Sequence, residues 1–150
     1  MAGKSDAYEY GFLRLTFNGV ALTNIASTAG TTSLWLGLHT ADPGDAGSTA
    51  AEGGYAQYTR IATDRSTGAT GWAITSGTSA ATASASPVAN IDFPQNTSTS
   101  TGTFSYVTVN PSSNSAGASA LYVSSVLSVP INFSQNVVPR LTTASSITED

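Results

Sequence analysis

The chain has 150 residues, of which 40% are hydrophobic and only 9% are charged, with a formal net charge of −4 and no cysteine. The lack of cysteine excludes a disulfide framework and thiol catalysis. The five Lys and Arg residues are scattered, which excludes the clustered basic surface that nucleic-acid binding requires. Soluble domains usually carry roughly 25% charged residues, so this low charge is typical of a protein held within a larger assembly.

The length and the even composition predict a single domain. Residues 1–7 form a short polar arm and residues 8–150 form the domain, because no linker-like stretch interrupts them. No apolar run is long enough to span a membrane or to serve as a signal peptide. We therefore expect no membrane partner and synthesis in a cytoplasm.

The first element, residues 8–20, has an ambiguous pattern. Leu13, Leu15 and Phe17 alternate with polar residues as in a strand, whereas Tyr10, Leu13 and Phe17 also fit helical spacing. Asn18 and the glycine that follows it end either element. We favour a short N-terminal helix.

The segment from Thr32 to Gly54 organises the rest of the chain. It begins as a strand in which Leu34, Leu36 and Leu38 share one face, while the residues between them share the other. The strand ends at the sequence Asp-Pro-Gly-Asp of residues 42–45, where proline and glycine favour a turn. A loop of small residues follows.

The remaining pattern predicts further short strands and no second helix. Residues 76–86 are low in complexity and predict an exposed loop or a weak edge strand. Together these segments suggest about seven or eight strands in an antiparallel sandwich, a jelly roll or a small barrel. The predicted strands are Tyr55–Thr63, Gly71–Thr75, Pro87–Phe93, Thr103–Val109, Ala118–Val129, Pro130–Val138 and Leu141–Ile147.

Catalytic and metal-binding patterns are weak. His39 is the single histidine, so a multi-histidine metal site is excluded, and no nucleophile elbow marks a serine. Asp42, Asp45 and Glu52 share one loop, but their spacing is not that of a calcium loop. We expect no enzymatic activity, no cofactor and no metal.

The aromatic residues allow two interpretations. In a β protein of this size, most of them belong to the core or to an interface. They could also line a sugar-binding groove, which would expose an aromatic surface around Trp35 or Trp72. The residues concerned are Trp35, Trp72, Tyr55, Tyr58 and Tyr106.

Several motifs occur in the order found in one family. Residues 33–47, SLWLGLHTADPGDAG, resemble the LYVALHTADPGDAG segment of a family of small tailed-bacteriophage virion proteins. Residues 86–93, SPVANIDF, are similar to its SPAANITFP strand, and residues 138–150, VPRLTTASSITED, to its closing TPQLTTATTVTED. Further similar segments are 15–22, 53–61 and 121–130, so the resemblance covers nearly the whole chain.

The resemblance implies a β-sandwich of jelly-roll type that acts as a capsid decoration, or cement, protein on the exterior of the virion. The implied partners are the major capsid protein and the protein itself, as a homodimer or homotrimer. The alternatives are a tail-fibre or baseplate-associated virion protein and a module that binds host-surface glycans. The implied place of synthesis is the cytoplasm of the bacterial host.

We expect the partner contacts to come from the N-terminal arm, the loop from Asp42 to Glu52 and the C-terminal strand. A low content of charged residues suits an interface core. The candidate interface residues are Lys4, Tyr8, Trp35, Asp42, Pro43, Asp45, Glu52, Tyr55, Arg140, Glu149 and Asp150.

Overall fold

The computed structural model describes residues 8, 33–44, 46–65, 68–75, 83–113 and 121–149. All strand pairs in this part of the chain are antiparallel, so the predicted all-β antiparallel fold is confirmed. The predicted N-terminal helix and the arm of residues 1–7 lie outside the described residues, except for Tyr8. The nine strands are β1 (Ser33–His39), β2 (Ile61–Asp64), β3 (Trp72–Thr75), β4 (Ala83–Pro87), β5 (Ile91–Asp92), β6 (Gly102–Asn110), β7 (Val123–Phe133), β8 (Arg140–Leu141) and β9 (Ile147–Glu149).

The strands form one larger and two smaller sheets. The larger sheet has the order β2-β1-β6-β7, and the smaller ones have the orders β3-β4-β9 and β5-β8. The hydrophobic core joins Leu36, Val107 and Phe133 of the larger sheet to Leu141 of β8, with Trp72 of β3 packed against it. The core therefore lies between sheets, as in a β-sandwich. None of the described residues belongs to a helix long and apolar enough to cross a membrane.

Strand β1 shows the predicted alternation. Leu36 and Leu38 are fully buried in the core and pair with Val109 and Val107 of β6. Successive side chains of a strand point to opposite faces, so His39 lies on the face away from the core. It is nevertheless only 1% exposed, which shows that β1 is covered on both faces.

A cluster of aromatic rings fills the core. The rings of Phe104 and Phe133 are 4.6 Å apart, and Tyr55 lies 5.5 Å from Phe133. The tip of the Phe133 ring also approaches the backbone at Gly54 and Gly102, where an added Cβ would lie 2.5 and 2.6 Å from its Cζ. Both positions require glycine because the ring occupies the space that a side chain would need.

Strand β7 contains an unusually large bulge. Phe104 pairs with Ile131 and Tyr106 pairs with Val126, so the four residues from Leu127 to Pro130 face the single residue Ser105. The sequence predicted two strands that meet at Pro130, and this prediction is wrong. Pro130 is tolerated within one strand because it lies in the bulge of an edge strand, where a ladder N–H is not needed.

Three other predicted boundaries are corrected. The predicted strand over 55–63 begins only at Ile61, because a turn in which Tyr58 N donates to Tyr55 O directs both tyrosines inward. The predicted loop or weak edge at residues 76–86 contains β4, the central strand of its sheet. The last predicted strand, 141–147, is divided into β8 and β9 by a turn closed by a hydrogen bond from Ser145 N to Thr142 O.

The close fit of the Phe133 ring against Gly54 and Gly102, which we call the clamp, leads to a stability prediction. Replacing Gly102 with Ala should lower the free energy of unfolding by about 1–3 kcal/mol, because the new methyl group overlaps a ring that is packed on all sides. Phe133→Leu replaces the ring with a smaller side chain. The loss of unfolding free energy caused by Gly102→Ala should therefore be smaller in the Phe133→Leu background than in the wild type. Urea unfolding of the four proteins measures this coupling, and strictly additive losses would contradict the clamp.

Candidate functional site

The loop that follows β1 is closed at its base by backbone contacts. His39 and Glu52 form an isolated antiparallel bridge, Thr40 N donates to Ala51 O at 2.9 Å, and Gly53 N donates to Leu38 O at 2.9 Å. The chain thus returns beside the end of β1. The residues between His39 and Glu52 form a surface loop whose two ends are held together by these backbone contacts.

The described part of this loop is also bonded internally. Gly44 N donates to Asp42 Oδ1 at 2.9 Å, and Ser48 N donates to Pro43 O at 2.8 Å. Gly44 has a φ of 64°, so the turn predicted at Asp-Pro-Gly is confirmed. The backbone hydrogen bond from Gly44 lowers the pKa of the exposed Asp42 carboxyl. The loop therefore has a defined shape before it meets any partner.

A buried ion pair holds the end of the loop. Arg60 Nε and Nη2 donate to Glu52 Oε1 and Oε2 at 2.6 and 2.7 Å, and both side chains are 1% exposed. Arg60 Nη1 also donates to the carbonyl oxygen of Ser112 at 3.1 Å, beyond the end of β6. This bidentate geometry is the strongest form of the contact, and it joins the loop to two other segments.

Further buried polar groups surround the pair. The Tyr58 hydroxyl accepts from Leu38 N at 2.6 Å and donates to Glu52 Oε1 at 3.3 Å. His39 Nε2 lies 3.9 Å from Glu52 Oε2 and 3.1 Å from Thr108 Oγ1. Burial strongly raises the pKa of Tyr58, so the hydroxyl stays protonated. We call the side chains of His39, Glu52, Tyr58, Arg60, Thr108 and Asn110 the polar network.

His39 is neutral in the polar network. The Thr108 hydroxyl donates to Gly37 O at 3.4 Å, which leaves it free to accept from His39 Nε2. The opposite ring nitrogen, Nδ1, has no hydrogen-bond partner among the described residues, and a proton placed there would lack an acceptor. Burial therefore lowers the pKa of His39; Glu52 opposes this effect and Arg60 adds to it. The geometry stabilises the fold and offers no open surface for a substrate.

A second feature is a groove with a volume of about 620 Å³ beside the bulge of β7. Its walls come from β3, β4, β7 and the segment from β8 to β9. Val126 and Val129 are 57% and 75% exposed at its rim. The charged residue of the lining, Arg140, forms an exposed two-point ion pair with Asp92 and lowers the pKa of that carboxyl. The groove surface is therefore electrically neutral.

The structure places the predicted interface residues in different environments. Asp42 and Arg140 are exposed, and Tyr8 and Trp35 are half-buried, with Tyr8 edge-on to Tyr122 at 5.7 Å. Pro43 and Tyr55 are buried, and the side chain of Glu52 is 1% exposed. Those that lie outside the described part are those of Lys4, Asp45, Glu149 and Asp150. Whether any of these residues binds a partner stays a prediction.

The two tryptophans differ in their relation to the groove. Trp72 is half-buried, lines the groove, and donates from Nε1 to Thr63 Oγ1 at 3.2 Å. Trp35 lies on β1, and the groove lining does not include it. No group of three metal-ligating side chains occurs in the described ranges.

Sequence reasoning missed Arg60 and Asn110 as members of the polar network. Asn110 Nδ2 donates to Trp35 O and to Thr108 Oγ1, both at 3.0 Å. A usable signal was the rarity of charge in this chain, since Arg60 follows Glu52 by only eight positions. In a chain so poor in charged residues, a basic and an acidic residue at short range are natural partners.

The buried ion pair leads to a comparison of two variants, each of which replaces a carboxylate with the neutral amide of the same size. Glu52→Gln should lower the free energy of unfolding by about 3–5 kcal/mol, because it leaves the Arg60 charge buried without a counter-charge. Asp92→Asn is the matched control, since it breaks an ion pair with half-exposed side chains and should cost about 1 kcal/mol or less. Urea unfolding measures both, and equal losses would show that the interior pair is not special.

The neutral His39 leads to a pH prediction. Above pH about 6.5, the ordinary pKa of histidine, the ring is neutral in the folded and unfolded chains alike. As the pH falls below that value, the unfolded chain binds a proton that the folded chain resists. The free energy of unfolding should therefore decrease toward the lowered folded pKa, by at most about 1.4 kcal/mol per pH unit.

His39→Gln is the control for this effect. His39 is the one histidine of the sequence, and the carboxyls of Asp42 and Asp92 have lowered pKa values and titrate in more acidic solution. Unfolding free energies between pH about 7.5 and 5.5 should change less in the variant than in the wild type. The same slope in both proteins would rule out His39 as the source.

Comparison with known proteins gives one match that covers almost the entire chain. A family model described as "Podophage GP4 fiber I protein gp80" matches residues 3–146. A search of curated proteins finds no match. The matched range includes the loop, the polar network and all of the groove lining except Ile147, and it agrees with the predicted membership of a phage virion protein family. The chain therefore belongs to the family of the podophage GP4 fibre I protein gp80, a family of virion structural proteins.

Proposed function

We propose that this protein is a fibre component on the exterior of a podophage virion. The observation that carries the proposal is the match of residues 3–146 to a family described as a fibre protein. The match extends over the described fold except its last strand, β9, so it concerns the domain as a unit and not one shared motif.

The proposed role is structural and does not involve catalysis. His39 is 1% exposed and is held by the polar network, which supports a non-enzymatic role. The described residues of the loop, 40–44 and 46–51, are already bonded into one shape, so they would lose little conformational entropy when the loop contacts a neighbouring virion protein. Its exposed residues, which include Thr40, Ala41, Asp42 and Ala50, present methyl and hydroxyl groups with little charge.

A second candidate function is capsid decoration. The observation that favours it is the shape of the described fold, whose longest strand has 11 residues and which contains no extended shaft. A small β domain of this kind would bind the outer face of the major capsid protein as a dimer or trimer. Each contact would be weak, but a symmetric oligomer that touches several capsid subunits gains avidity.

The copy number per virion separates the two candidates. We expect a small number of copies, fixed by the number of fibres, together with antibody labelling at the fibres in electron micrographs. Quantitative mass spectrometry of purified virions against the major capsid protein provides the count. A copy number close to that of the major capsid protein, with labelling over the head, would overturn the fibre proposal in favour of decoration.

A further inference from the structure

The groove beside the bulge of β7 presents two kinds of surface. Val107 and Leu141 are buried members of the core that also line the groove, and Trp72 and Leu127 pack against that core. Its volume of about 620 Å³ lies within the range of clefts that hold small ligands, roughly 300–1,000 Å³. The rest of the lining includes five hydroxyl groups, those of Ser125, Ser128, Thr142, Ser145 and Ser146. An occupant therefore meets apolar surface and hydroxyl groups together.

Most of these hydroxyl groups are available to a ligand. Four of them form no hydrogen bond with another residue in the described part of the chain, namely those of Ser128, Thr142, Ser145 and Ser146. By contrast, the hydroxyl of Thr103, outside the groove, donates to Asn132 Oδ1 at 2.8 Å. A serine or threonine hydroxyl can donate one hydrogen bond and accept others. The groove thus offers both donors and acceptors without any charge.

The bulge of β7 shapes one wall of the groove. Strand bulges re-aim side chains and are frequent beside binding sites. Leu127 packs against the core, whereas Ser128 and Val129 of the same bulge are exposed and line the groove. Pro130 has no N–H to donate, so this edge of the sheet is unsuited to pairing with an added strand. The wall therefore suits a ligand that contacts side chains and not an extended peptide.

The charge of the groove is unsuited to ionic ligands. The described lining contains no carboxylate, and its charged residue, Arg140, is held in a two-point ion pair by Asp92. A metal ion would find no anionic ligand, and a phosphate would have to compete with Asp92 for the guanidinium group. A purely aliphatic ligand is also unsuited, because it would cover hydroxyl groups without giving them hydrogen bonds. The lining favours a neutral molecule with apolar faces and many hydroxyl groups.

We propose that the groove binds a neutral saccharide. The hydroxyl groups of a sugar ring can exchange hydrogen bonds with the hydroxyl groups of the lining, since both act as donor and acceptor. The faces of the ring carry C–H groups, which pack against aromatic and aliphatic side chains such as those of Trp72 and Val129. The proposal assigns a ligand to the isolated protein, so it goes beyond the structural role proposed above and does not depend on where the protein sits in the virion.

The two tryptophans allow this site to be tested by fluorescence. Trp72 lines the groove and Trp35 does not, and the sequence has no third tryptophan. The probes are oligosaccharides of glucose, galactose, mannose and N-acetylglucosamine at millimolar concentration. In Trp35→Phe, the emission of Trp72 should change and saturate with at least one of these probes. In Trp72→Phe, the same probe should leave the emission of Trp35 unchanged.

Two neighbouring threonines provide a matched pair of variants. Thr142 and Thr143 are both exposed, but only the first of them lines the groove. Thr142→Val, made in the Trp35→Phe protein, should weaken saccharide binding about two- to tenfold, the usual effect of losing one hydrogen bond. Thr143→Val should leave the affinity unchanged. Both variants alter an exposed side chain, so their thermal unfolding should remain cooperative, and equal affinities would overturn the proposed site.

The same titration identifies other occupants. A change in Trp72 emission with octanol, but with none of the oligosaccharides, would overturn the proposal and assign the groove to an apolar ligand. The absence of any response to the four oligosaccharides would also overturn it. Neither result would affect the fibre proposal, which is tested by copy number and antibody labelling.

Discussion

The bidentate contact between Glu52 and Arg60 is the constraint on which the surface loop depends. Both charges are withdrawn from water, which by itself opposes folding. The cost is offset because both partners make further hydrogen bonds: Arg60 also binds the Ser112 carbonyl, and Glu52 also accepts from Tyr58. Such a pair specifies one arrangement, since any other position of the loop would leave a buried charge without its partner.

Tyr58 links the polar network to the aromatic core because it contacts both. Its ring stacks against Phe93 with centroids 6.0 Å apart, while its hydroxyl binds the backbone of β1 and the Glu52 carboxylate. Tyr55 behaves similarly, because its hydroxyl donates to Pro94 O at 2.7 Å and burial raises its pKa to about 12. The shape of the exposed loop is thus set by contacts in the interior, and the loop inherits the rigidity of the core.

The local sequence pattern was enough to predict the elements that depend on a few adjacent residues and not on distant strands. The alternation of Leu34, Leu36 and Leu38 and the turn at Pro43 and Gly44 are properties of a few adjacent residues, and both are present. Strand β4 was not predictable in this way, because alanine and serine carry little strand signal. It is a strand because β3 and β9 pair with it on both sides.

The candidate sites show the same limit. The loop from Asp42 to Glu52 could be recognised as a unit, but the inward direction of Glu52 follows from the distant positions of Arg60 and Ser112. The groove is assembled from β3, β4, β7 and the segment from β8 to β9. No single one of these stretches has a sequence pattern for a cavity, so only the folded arrangement reveals it.

The pairing of β1 with β6 has a consequence for how the chain folds during synthesis. Gly37 and Thr108 are neighbours across these strands although 71 positions separate them in the sequence. A ribosome that adds roughly 5–20 residues per second needs about 4–14 s to pass from one to the other. During that interval β1 has emerged without β6, its neighbour on one side in the sheet. The weakly charged, hydroxyl-rich sequence that follows it is then the part of the chain that must keep three leucines of β1 from associating with other nascent chains.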